Sequence, residues 1–214
     1  MIDFHQLIDT LSNEQKRYNF PHKGTGPTKQ AQAVDGLRFD SELDALFRKI
    51  DYHDKDHEFE LVPSFRKEQS ILISMINVLY QYPSHQMEHY LDLLQNHINH
   101  WMIIHRDLLA DYQLNQSRIN FHLNSKLDHE DHLLLLALMF RVNIFVLNMD
   151  RQFRLYSPIN LNNLYVLFLQ HDDLRYNAIK FHPSDQKALA NLTGFISIVE
   201  PGHPLIEKLF SQLQ

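Results

Sequence analysis

Cysteine is absent from all 214 residues. That excludes disulfide bonds and thiolate-bound zinc, and it removes the nucleophile of any cysteine-dependent hydrolase. Glycine and proline are sparse, at five and eight residues, too few for a linker-rich or low-complexity chain. Lys and Arg are outnumbered, and the formal charge is −6. A protein that tracks nucleic-acid phosphates needs the opposite balance, with cations gathered on one face. No apolar run reaches the roughly 20 residues that a helix needs to cross a bilayer; the longest, Leu133 to Phe140, fits a buried helix. The opening residues, Met1-Ile2-Asp3-Phe4-His5, lack the basic start and apolar stretch of a secretory signal. The expectation is a cytoplasmic protein. What is present is ordinary for a globular chain: 44% hydrophobic and 21% charged residues, enough for one domain with its own core or one domain with a small appendage.

Apolar spacing places the elements. Phe4, Leu7, Ile8 and Leu11 share a helical face, and a polar stretch from Asn19 to Leu37 follows, with Pro21, Gly24, Gly26 and Pro27 as loop signals. Ser41 to Ile50 predicts a helix with Ser41 as N-cap. Glu58 to Val62 predicts a short strand closed by Pro63. Lys67 to Tyr80 reads as a helix, with Ile71, Leu72, Met75, Ile76 and Leu79 inward. Further helices are expected at His85 to Asn96, after a Ser84 cap, and at Trp101 to Leu114. A Leu-rich helix capped by Asp128 runs into a strand at Asn143 to Leu147. Strands at Leu164 to Leu169 and Arg175 to Ile179 flank an Asp172-Asp173 turn. A helix at Ser184 to Leu192, a strand at Phe195 to Val199 and an amphipathic helix at Pro204 to Leu213 complete the chain. Helices first and a small sheet after them give an α+β layout.

The order of the later elements resembles the ovarian-tumour (OTU) family of papain-like cysteine peptidases, which remove ubiquitin from proteins. In register, Lys67-Glu68-Gln69-Ser70-Ile71-Leu72 falls on the family's Asp-Gly-Asn-Cys-Leu-Phe box. Leu135-Leu136-Ala137-Leu138 is similar to the apolar part of its later helix. There His129-Glu130-Asp131 replaces the Trp-Gly-Gly portion and Leu134 the glutamate. Arg175-Tyr176-Asn177 falls on its His-Tyr-Asp/Asn strand. The resemblance implies a papain-like OTU-type domain over residues 58–182, with helices packed on a small, mostly antiparallel sheet. A helical extension, 1–57, would precede it, and a C-terminal extension, 183–214, would pack on the same domain. It also implies a site at Ser70 (the nucleophile position), Arg175 (the position of the family histidine) and Asn177 (the orienting position). Arginine is always protonated and cannot serve as a base. A serine at a helix N-terminus gains little from the dipole without an adjacent base. The chain is therefore either a natural pseudoenzyme or a variant in which cysteine has been replaced at position 70, and Arg175 favours the first. His171, four residues earlier, is the alternative base, with Asn177 or Asp173 orienting it.

Fifteen histidines invite a metal. His85-Gln86-Met87-Glu88-His89 spells the H-x-x-E-H pattern of one metallopeptidase class, against the plainer reading of a solvated helix face. His129, His132, Asp128 and Asp131 read as a helix N-terminus, where acidic groups are favoured by the dipole. His53, Asp54, Asp56 and His57 read as a polar loop; no metal and no cofactor is expected. Trp101 and the Leu205-Ile206-Leu209-Phe210 stripe are read as core and docking contacts rather than partner surfaces, and Ser64 and Ser74 as hydroxyls without chemistry. The resemblance implies an OTU-like pseudoenzyme that binds ubiquitin or another protein without hydrolysis. Two alternatives stand beside it: a deubiquitinase with Ser70 in place of its nucleophile, and an adaptor acting through its terminal helices. By fold-level analogy, such degenerate folds occur among effectors that pathogens deliver into host cells.

Overall fold

The computed structural model describes residues 42–54, 58–79, 86–150, 152–157, 161, 163–171, 174–182 and 197–213. The expected elements at 4–18 and 184–192, the caps Ser41 and Ser84, and His85 lie outside those residues. Residues 42–49 form helix α1. Strand β1 (Phe59–Val62) leads to α2 (Ser70–Leu79), α3 (Met87–Ile104), α4 (Arg106–Asp111), α5 (Gln116–Asn124) and α6 (Glu130–Phe140). Then come β2 (Asn143–Asn148), β3 (Arg154–Tyr156), β4 (Tyr165–Gln170), β5 (Tyr176–Phe181) and α7 (Pro204–Gln212).

The strands form one sheet in the order β1-β5-β4-β2-β3. Three pairings are antiparallel and one, β2 with β4, is parallel, so the fold is α+β with a mostly antiparallel sheet. The parallel pair follows from chain length: β2 and β4 are joined by a crossover that includes β3, whereas β4 and β5 are joined by a hairpin, which can only pair antiparallel.

Strand sequence explains why both sheet faces are covered. Tyr165-Val166-Leu167-Phe168-Leu169-Gln170 has almost no polar alternation, and all six residues are buried. Alternate side chains point to opposite faces, so such a strand requires a layer on each. On one face Val146, Val166, Phe168 and Ala178 meet Ile71, Met75, Ile98, Leu136 and Phe140 from α2, α3 and α6. On the other, Phe145, Leu167, Ile179 and Phe181 meet Leu43, Leu46 and Phe47 from α1 and Leu205, Ile206 and Leu209 from α7. Each fully buried Leu, Ile or Phe of these layers contributes on the order of 1.5–3 kcal/mol. The apolar stripe of α7 is therefore spent on the chain's own sheet, and Trp101 is half-buried against the first layer.

Local structure differs from the sequence reading in several places, among them helix α5 (Gln116–Asn124), which was not expected. Helix α2 begins at Ser70, three residues later than the expected start at Lys67, because Gln69 has a left-handed φ of 58°. The helices expected at 85–96 and from Trp101 are continuous through α3; no Gly or Pro lies between them to end it. Helix α6 is capped by His129, whose Nδ1 accepts from the Asp131 N–H at 3.1 Å, not by Asp128. Strand β3, three residues long, was not expected, and Val199 makes only an isolated bridge to Tyr165.

Candidate functional site

The loop leaving β1 and the start of α2 lie against the start of β5. The Tyr176 N–H donates to Ser70 Oγ at 2.9 Å, and Ser74 Oγ, one helical turn on, donates to the Tyr176 carbonyl at 2.9 Å. The expected juxtaposition of Ser70 with the last hairpin strand is thus present, but as direct contact. Ser70 is fully buried, at 0% exposure.

Its remaining groups go to Asp128. Ser70 Oγ and Ser70 N–H both donate to Asp128 Oδ2 at 2.6 Å, and Ile71 N–H donates to Oδ1 at 3.2 Å. The first N–H groups of a helix have no partner within it; here a carboxylate 58 residues away satisfies two of them. Burial pushes the Asp128 carboxyl above the ordinary carboxylate range, opposed by the hydrogen bonds from Ser70 and Ile71. Two consequences follow for chemistry. The amides at this helix end, where an oxyanion would be held, already hold an anion. The hydroxyl proton is directed at a carboxylate, a weak base for an alcohol, and no histidine is bonded to it.

A second cluster lies on the same strand. Asn177 is fully buried on β5; its Oδ1 accepts from Ser64 N–H at 2.9 Å and from Ser64 Oγ at 3.3 Å. Those donors fix the amide, so its Nδ2 faces His171 Nε2, 2.7 Å away. An amide N–H donated to Nε2 makes that nitrogen the acceptor, which places the imidazole proton on Nδ1. The structure therefore brings His171 and Asn177 together. Arg175, half-buried, precedes β5, and its carbonyl accepts from the His171 N–H at 2.9 Å, closing the β4–β5 hairpin. Strand alternation puts Arg175 on the side of Asn177.

Three residues adjacent in sequence to these clusters are exposed and apolar, and two residues beside them are left-handed. Phe65 follows Ser64 and is 60% exposed; Leu127 precedes Asp128 at 48%; Leu174 precedes Arg175 at 63%. Leu174 (φ 63°) and Gln69 (φ 58°) are both left-handed, a conformation costing a leucine or glutamine roughly 1–2 kcal/mol. Such strain persists where the surroundings impose it, and it gathers at functional sites.

Three residues of the site escaped the sequence reading. Asp128 stands just before a helix and so reads as its cap; Ser64 and Ser74 carry no local signal at all. Only contacts across more than 50 positions assign them. The other histidine readings resolve differently. Glu88 is engaged by Arg66 at 2.7 Å. Asp54 accepts from the Glu58 and Phe59 N–H groups at 2.9 Å, tying the start of β1. Among the described residues, no group of three or more His, Asp or Glu side chains is placed to hold a metal ion, and no helix is long and apolar enough to cross a membrane.

No protein-family profile and no curated protein matches this sequence. Among solved structures, the chain is similar to the OTU domain of OTUD1, at 12% identity and a TM-score of 0.45. That match covers 69% of this chain and 98% of the other. The reading of the site rests on this chain's own contacts.

Proposed function

We propose that this chain is an OTU-like pseudoenzyme that binds a protein partner, ubiquitin or a ubiquitin-like protein, without hydrolysing it. One observation carries the loss of hydrolysis: the residue at the nucleophile position is sealed, with its hydroxyl and amide committed to Asp128 and Tyr176. Breaking that arrangement to free Ser70 would orphan three donors, and each buried unsatisfied group costs on the order of 1–3 kcal/mol. The binding surface is the exposed rim, where Phe65, Leu127 and Leu174 surround residues that anchor the two clusters. Exposed apolar side chains grouped in this way characterise protein contacts. Arg175 supplies a cation beside them, suited to an acidic group or a chain-terminal carboxylate.

The test uses ubiquitin as the probe in a titration followed by amide chemical shifts. Binding is expected to perturb residues 64–68, 126–128 and 174–177, and Arg175→Ala is expected to weaken it at least about tenfold, the loss of one charge-assisted contact. Intact binding by Arg175→Ala together with Leu174→Ala would remove this surface from consideration. Shift changes confined to α7 would favour the adaptor reading through the terminal helices.

The His171–Asn177 contact at 2.7 Å favours one second reading. In it the chain is an OTU-like deubiquitinase, the native nucleophile at position 70 is cysteine, and His171 is its base, oriented by Asn177. Ser70→Cys treated with a ubiquitin-derived covalent probe distinguishes the two. Covalent capture would establish the enzyme, and a folded protein that does not react would leave the pseudoenzyme.

A further inference from the structure

The segment that supplies Asp128 to the Ser70 helix is built on three imidazoles. His122 of α5 stacks on His129 with ring centroids 4.4 Å apart and planes at 19°, and His132 meets His122 edge-on at 6.4 Å. His129 caps α6 through Nδ1, which can accept from the Asp131 N–H only while that nitrogen is unprotonated. His132, in the first turn of α6, is 1% exposed; its ring nitrogens make no hydrogen bond of good geometry, and the Ile119 backbone offers it only a weak contact. The neighbouring charges offer little compensation for added protons. Asp131, 3.6 Å from His129 Nδ1, is already bound by Arg118 of α5 at 2.5 Å, and Glu130 is bound by Arg154 of β3. Asp128 is occupied by Ser70 and Ile71.

We infer that His122, His129 and His132 form an acid-sensitive latch that holds the 125–132 segment closed, and with it the Asp128 clamp on Ser70, and that protonation releases it. Three physical effects act in the same direction. A proton on His129 Nδ1 removes the cap. Two stacked imidazolium rings repel each other. Positive charge at a helix N-terminus opposes the macrodipole. The geometry accords with the titration: burial pushes His132 down to about 4, and burial also lowers His122. For a base held below its ordinary value, the folded state resists the proton. The stability is therefore complete at neutral pH and is lost as pH falls from about 6.5 towards about 4. The latch concerns how the site opens and is independent of what the site binds.

Amide hydrogen exchange on the whole chain tests this, with each rate divided by its intrinsic value at that pH. Between pH 7.5 and 5, protection at Ser70, Ile71 and Asp131 is expected to fall at least about tenfold, the equivalent of one pKa unit. Protection at residues 166–169 of β4 reports global opening and falls only as far as the global stability does. His122→Phe keeps the ring stack without its titration and should diminish the loss; His132→Met should diminish it further. Unchanged protection at Ile71 and Asp131, or an undiminished loss in both folded His122→Phe and folded His132→Met, would each overturn the latch.

Discussion

Two polar clusters meet at the start of β5, and they differ in what they leave over. Around Ser70 and Asp128 every polar group is answered from within: hydroxyl, two helix amides and a strand amide all close on each other. Around Asn177 the amide is equally sealed, but its chain of contacts runs outward, through His171 to a half-buried imidazole and through Ser64 to exposed Phe65. The first cluster is a joint; it fixes where α2 sits on the sheet. The second is a support with one end at the surface. Of the two, only the second retains groups that another molecule can reach. A buried polar cluster can thus serve the architecture alone while its neighbour extends to the surface.

The comparison breaks most visibly at Asp128. Asp128→Ala leaves three donors without partners and removes the clamp. It is expected to destabilise the fold by about 4 kcal/mol, read as a shift of the urea midpoint at constant m-value. Ser70→Ala removes only one of those donors and should cost about 1–2 kcal/mol. Similar losses in the two variants would mean that the carboxylate is not the hub.

Acid weakens the segment that carries Asp128. With His132 held at about 4 rather than 6.5, its burial alone withdraws about 3 kcal/mol between pH 7 and pH 4. Burial raises Asp128, so that group opposes the trend over the lower part of the window. Denaturant unfolding across this range in the parent and in His132→Met should show the parent's slope and a flatter variant; parallel curves would assign the pH dependence elsewhere.

At the second cluster, Asn177→Ala unties Ser64 and frees His171, with an expected cost of about 2 kcal/mol. Heteronuclear shifts of the His171 ring should then report loss of the Nδ1–H tautomer preference. Retention of that preference would show that something other than Asn177 sets it. The smallest effect is expected at Arg175: Arg175→Ala should cost less stability than the about 2 kcal/mol of Asn177→Ala while weakening partner binding. A stability loss comparable to Asn177→Ala would make Arg175 a structural member of the hairpin rather than a contact for a partner.

The strands and buried helices were legible because their patterns are local. The sequence 143–148 and 165–170 is apolar without alternation, and 71–79 repeats with helical spacing, so existence and type follow from periodicity. The hairpin between β4 and β5 was equally readable. Boundaries were less so. Nothing in Lys67-Glu68-Gln69 announces the left-handed Gln69 that delays α2, and nothing between 85 and 104 divides or joins two helices except the absence of a breaker. Of the candidate site, Ser70 and the 175–177 segment were singled out through the resemblance. Their bonding was not legible, because each bond joins segments far apart in the chain: Ser64 to Asn177, Ser70 to Asp128 and to Tyr176.

The order of residues alone established an α+β chain without thiols, with a fully apolar central strand and no cationic face for nucleic acid. Through its resemblance to the OTU family it also suggested Ser70, Arg175 and Asn177 as candidate site residues. Only the folded chain decided that Asp128 caps a helix 58 residues away, that His171 meets Asn177, and that three imidazoles share one helix end. The reason is physical. Composition and periodicity record which groups must leave water, whereas a buried hydroxyl, amide or carboxylate takes whichever partner packing brings within about 3 Å.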